Sequence, residues 1–73
     1  MAFSVGKCLL KPLRIRAGLT QVQLAEIVGV SAKMISHFEN NRRTMSLLLA
    51  YIISKAVKCQ IEDLYTWDRQ GVN

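Results

Sequence analysis

The stretch that most constrains this chain is Thr20 to Asn41, TQVQLAEIVGVSAKMISHFENN, because it places a short helix signal on each side of one glycine. Its apolar residues are Leu24, Val28, Val30, Ile35 and Phe38. Leu24 and Val28 stand four apart, and the segment from Val30 to Phe38 repeats the pattern after a turn, so each piece has one apolar face at helical spacing. The punctuation agrees. Thr20 with Gln23 makes a T-x-x-Q capping box, and Ser31 can cap a second helix. Gly29 sits where the first helix must end in a left-handed conformation, which costs glycine nothing, and Ala25 lets the two helices approach closely. Two amphipathic helices across a tight corner, a helix-turn-helix, follow from this spacing.

The segment LTQVQLAEIVGVSAKMISHFEN resembles the helix-turn-helix of phage repressor and Cro-type DNA-binding domains, the xenobiotic-response-element-like family. The likeness extends upstream to Leu13-Arg14 and downstream to Ile61-Glu62-Asp63-Leu64, about residues 10 to 65 in all. It implies an all-α fold, a compact five-helix, lambda-repressor-like domain over residues 10–66 with helices 2 and 3 as the motif. Residues 1–9 then form an N-terminal arm and residues 67–73 a C-terminal tail.

Length allows one small domain with a single core, since the chain has 73 residues of which 51% are apolar. Cys8 and Cys59 lie far apart with no C-x-x-C pair and a single histidine, which suggests neither a zinc site nor a disulfide framework. The longest apolar run, Leu47 to Ile53, falls well short of the ~20 residues needed to cross a bilayer. Lys7, Lys11 and Pro12 interrupt the first apolar stretch, so no signal peptide is expected and the reading is a soluble, cytoplasmic protein without membrane contact. The net charge of +5 is unevenly placed. Residues 1–43 hold seven basic side chains against Glu26 and Glu39, whereas residues 44–73 hold three against three. The excess positive charge therefore belongs to the half with the motif, which suits a polyanion.

Along the chain, the alternating Phe3-Ser4-Val5 reads as an extended arm or a short strand. Pro12 is tolerated only in a first helical turn, which sets a short first helix from about Leu10 or Lys11 to Ala17, stopped by Gly18. Helix two is expected from Gln21 to Val28, helix three from Ala32 to Asn40, helix four from Ser46 to Lys58, and a last short helix from Ile61 to Tyr65. Asn41 stands where the family usually has glycine, and it is the next most tolerant residue for a positive φ. Met45 stands where the family commonly has proline, which implies a less rigid loop. On helix four, Leu47, Ala50, Tyr51, Ser54 and Val57 follow the i, i+3, i+4 rule and are expected to face the core. That leaves Leu48, Leu49 and Ile52 as an apolar outer face, a candidate protein interface.

By resemblance, the helix after Gly29 enters the major groove, and its base-contacting side chains are Ser31, Ala32, Lys33, Met34 and His37. Lys33 can donate to guanine O6 and N7, and Ala32 or Met34 can meet a thymine methyl. Gln21, at the amino end of helix two, is a candidate phosphate contact, as are Asn40, Arg42, Arg43 and Thr44 beyond helix three. Arg14 and Glu39 occupy positions where the family commonly has a partly buried ion pair. The resulting expectation is sequence-specific double-stranded DNA binding by a small repressor or Cro-like regulator, acting as a homodimer. The alternative is a protein-interaction module on the same fold, an antitoxin or antirepressor, using the outer face of helix four. No phosphate loop, paired-carboxylate geometry or nucleophile with a base appears, so no enzyme, cofactor, metal or small-molecule ligand is expected.

Overall fold

A computed structural model describes residues 2–70 of the chain, and side chains from 3 to 68. The first helix, α1, spans Leu10–Arg16. Pro12 lies in its first turn, where the amides have no partner to lose. The chain then turns at Gly18, whose φ of 77° is left-handed, into α2 at Gln21–Val28. The capping box is complete: Gln23 N donates to Thr20 Oγ1 at 3.0 Å and Thr20 N to Gln23 Oε1 at 2.9 Å. Gly29 closes α2 at φ 82°. Helix α3 covers Ala32–Glu39, with the Ser31 hydroxyl accepting from Met34 N at 3.1 Å. Asn41 adopts φ 60° and turns the chain towards α4 at Leu47–Ala56, which starts from a Ser46 cap. A 3₁₀ turn follows at Ile61–Leu64.

The expected five-helix, all-α fold is corrected at both ends. The arm and the tail pair with each other: strand β1, Ala2–Cys8, runs antiparallel to β2, Tyr65–Gln70, so the described residues form four α-helices and a two-stranded sheet. Phe3 stands opposite Arg69, Ser4 opposite Asp68 and Val5 opposite Trp67, with an irregularity before Cys8 meets Tyr65. Phe3 and Val5 on one strand and Tyr65, Thr66 and Trp67 on the other favour extended backbone, which draws the two ends into a ladder. Gly6 serves the close approach, because a Cβ there would overlap the Thr66 hydroxyl. The segment IEDL is a single 3₁₀ turn instead of a fifth α-helix, since Tyr65 is already extended at φ −138°. Residue 1 of the expected arm and residues 71–73 of the expected tail lie outside the described residues.

Leu10, Leu24, Ile35, Ile53 and Leu64 form the centre of the core, all fully buried, with Ala25 letting α2 lie close to α3. Helix α4 is rotated from its expected setting. Ala50, Ile53, Ser54 and Val57 face the core, whereas Leu47 is 78% exposed and Tyr51 50% exposed. Ile53, flanked by Ala50 and Val57 on one side of the helix, makes as good a helical face as the expected one and is wholly apolar, whereas burying Tyr51 would bury its hydroxyl. The candidate interface shifts accordingly. Leu48 stays exposed, Leu49 packs partly on the core, Ile52 is half-buried, and Leu47 and Tyr51 join Leu48 on the outer face. The loop before α4 is also tighter than the missing proline implied: Met45 is buried, and its amide donates to the Tyr65 hydroxyl at 3.0 Å.

Candidate nucleic-acid interface

The corner between α2 and α3 is fixed from below by Arg14, a charged side chain that is only 8% exposed. Its Nε donates to Glu39 Oε2 at 2.6 Å, its Nη2 to Glu39 Oε1 at 3.2 Å, and its Nη1 to the Leu19 carbonyl at 2.9 Å. A guanidinium matches a carboxylate in this two-pronged way, and the third bond goes to the turn leading into α2. Gln21 adds a further link, its Nε2 donating to Glu39 Oε1 at 3.0 Å. One carboxylate at the end of α3 thus gathers groups from α1 and α2, and the angle between the motif's helices is set by charge as well as by apolar packing. Spacing alone showed neither the Leu19 nor the Gln21 contact, because both depend on a turn geometry.

The candidate base readers are differently placed. Lys33 is exposed at the start of α3. Ser31 is exposed too, with its oxygen already engaged as the helix cap. Ala32 and Met34 are half-buried and lean on the core, and His37 is half-buried one turn further along. Only the outer sides of these three residues are open to a ligand.

The candidate phosphate contacts divide in the same manner. Arg42, Arg43 and Thr44 are all exposed on the loop after α3. The Asn40 carboxamide folds back on its own helix, its Nδ2 donating to the Ser36 carbonyl at 2.9 Å and to Ser36 Oγ at 3.2 Å. Gln21 is turned towards Glu39 as described. The lysine and arginines therefore present free cationic groups, while the two amides are committed to holding the scaffold. Such a surface, cations at one helix's start and beyond its end, can neutralise phosphates on both sides of a groove.

Elsewhere the chemistry is sparse. Among the described residues, no group of His, Cys, Asp and Glu could hold a metal ion, and no helix is long and apolar enough to cross a membrane. Cys8 and Cys59 are both thiols, and burial pushes each above its ordinary pKa, which makes them poor nucleophiles. A shallow depression lined by Arg16, Leu19, Ile27, Val57 and Lys58 lies where α1, α2 and the end of α4 meet.

A family model described as helix-turn-helix matches residues 10–64. A protein of Methanothermobacter thermautotrophicus named as an HTH-type transcriptional regulator is 39% identical over 66 residues, covering 89% of this chain and 96% of its own. YgzD of Bacillus subtilis, also named as an HTH-type transcriptional regulator, is 39% identical over 61 residues, 84% of this chain and 92% of its own. Among solved structures, the P22 c2 repressor in complex with a synthetic operator aligns with a TM-score of 0.72 at 27% identity, over 75% of this chain and 83% of that one. The restriction-modification controller protein C.AhdI from Aeromonas hydrophila aligns with a TM-score of 0.70 at 27% identity, over the same shares.

Proposed function

Because the chain belongs to the phage-repressor and Cro-type helix-turn-helix family, whose members are DNA-binding regulators and not enzymes, we propose that it binds double-stranded DNA sequence-specifically as a small repressor or Cro-like regulator. In this reading α3 lies in the major groove, Lys33 reads a guanine, and the outer sides of Ser31, Ala32, Met34 and His37 meet neighbouring base edges. Arg42, Arg43 and Thr44 hold the backbone and fix the register. The observation that carries it is the pairing of an exposed Lys33 at the start of α3 with exposed Arg42 and Arg43 just past its end. Gln21 and Asn40, whose carboxamides are internally bonded, act in this reading mainly by holding the helices that carry the contacts.

A homodimer on a two-fold symmetric site completes the proposal, because one short helix reads too few base pairs to select a site. Binding selection from random duplexes with the purified chain, followed by a salt titration on the winner, is the test. Enrichment of a palindromic site whose affinity falls steeply with salt is expected. A pool that shows no enrichment, or binding indifferent to salt, would overturn it.

The alternative of a protein-interaction module is favoured by one observation: Leu47, Leu48 and Tyr51 lie exposed together on α4, at 78%, 69% and 50%. Burying two such side chains is worth roughly 3–6 kcal/mol by transfer free energy, enough to favour association of a small chain with a twin or another protein. Retention of all DNA binding by a chain carrying Leu48→Glu, alongside loss of a protein complex, would separate this role from the first.

A further inference from the structure

The loop that carries Arg42, Arg43 and Thr44 is held at both ends by one rung of the ribbon. Cys8 and Tyr65 face each other across β1 and β2. From one side of the rung the Cys8 amide donates to Asn41 Oδ1 at 2.8 Å; on the other, the Tyr65 hydroxyl accepts from the Met45 amide at 3.0 Å. Asn41 and Met45 are the residues immediately flanking the three exposed ones. The two bonds differ in character. The first joins exposed groups, while the second lies between residues 7% and 8% exposed, where water cannot replace it.

The loop's own helix supplies only its first part with support: Asn41 N donates to the Phe38 carbonyl at 3.1 Å and Arg42 N to the His37 carbonyl at 2.9 Å. Beyond Arg42 the far end is fixed by Met45, and Met45 by Tyr65. Met45 must be a residue with an amide hydrogen for this to work, which proline lacks. Arginines on a loop already in its bound shape lose less conformational freedom on meeting phosphates than arginines on a loose one.

We propose that the Cys8–Tyr65 rung is a brace for DNA backbone contact, with Asn41 and Tyr65 as positioning residues that act through Arg42, Arg43 and Thr44. The inference rests on the reading of those three as phosphate contacts. It makes the joined chain ends part of the DNA-binding apparatus through their hold on the loop.

The test is binding of the full chain to a duplex without a preferred site, at a series of salt concentrations, so that base reading contributes nothing. Replacing both arginines (Arg42→Ala with Arg43→Ala) is expected to reduce the slope of log affinity against log salt by about 2. Asn41→Gly removes the acceptor while keeping a backbone suited to positive φ, and Tyr65→Phe removes only the hydroxyl. Each is expected to weaken generic binding by about 3- to 10-fold with helicity unchanged, and to accelerate amide exchange at Met45 in the Tyr65→Phe chain. Introduced into the chain that already lacks both arginines, each is expected to weaken binding by less than about 2-fold, because only Thr44 is left for the brace to position. Folded brace variants that bind like the wild type, or that lose as much without the arginines as with them, would overturn the proposal. A double arginine variant that binds like the wild type would instead bring down the phosphate reading and the brace with it. If Tyr65→Phe fails to fold, Asn41→Gly, at an exposed position, decides alone.

Discussion

Helices α3 and α4 start alike and inform differently. Each begins at a serine whose hydroxyl accepts from the third residue on, Ser31 from Met34 N and Ser46 from Leu49 N. Helix α3 then sets buried Ile35 and Phe38 against exposed Lys33, so its two sides contrast and the inward one is unambiguous. Helix α4 reads LLLAYIISKA, apolar on nearly every side, and its inward face is chosen by fit to α2 and the 3₁₀ turn. Contrast between faces, more than apolarity, tells which side of a helix is buried.

The largest expected loss of stability follows from Glu39→Ala at the end of α3. It leaves the Arg14 guanidinium buried without its carboxylate, with side-chain exposures of 10% and 3% for the pair, and frees Gln21 as well. A loss of about 3–5 kcal/mol in urea unfolding is expected. A loss below 1 kcal/mol would mean that apolar packing alone sets the α2–α3 angle.

The setting of α4 is tested by a matched pair of truncations. Ile53→Ala should cost about 2–5 kcal/mol, as expected for a fully buried side chain. Next in size is a binding effect on α3: Lys33→Ala should cost about 1–3 kcal/mol on the selected site and leave generic duplex affinity nearly unchanged. An unaltered ratio of specific to generic binding would remove Lys33 from the readers. The smallest effect belongs to Leu47→Ala, within about 0.5 kcal/mol of wild-type stability, because Leu47 is 78% exposed. Were Leu47→Ala to cost as much as Ile53→Ala, the helix would be set as its periodicity alone suggests.

The motif was legible because its signals are local. Thr20, Gln23, Gly29 and Ser31 each act on backbone within a few residues, and the positive φ of Asn41 is a property of that one residue, so each adopts the cap or turn its chemistry favours. The ion pair of Arg14 with Glu39 came from family likeness, since the two stand 25 residues apart and no local spacing rule links them. The ribbon was only half legible. Phe3-Ser4-Val5 suggested a strand, but its partner lies some 60 residues away, and long-range strand pairing leaves no mark in either segment alone. The Met45 bond to Tyr65 was invisible for the same reason, and a loop expected to be slack is held by its far neighbour.

Trp67, the chain's one tryptophan, gives the ribbon an optical signature of its own. Its indole Nε1 donates to the Glu62 carbonyl at 2.8 Å and its ring meets Tyr65 edge-on at 6.3 Å, so its emission depends on strand β2 being seated. Far-ultraviolet ellipticity, in contrast, is dominated by the four helices. Two-stranded ribbons are marginal by themselves, and this one joins the extremities of the chain. Fluorescence and ellipticity recorded through one thermal melt therefore act as separate clocks for the two parts of the molecule, and any interval between their midpoints measures how far the chain ends come apart before the helices do.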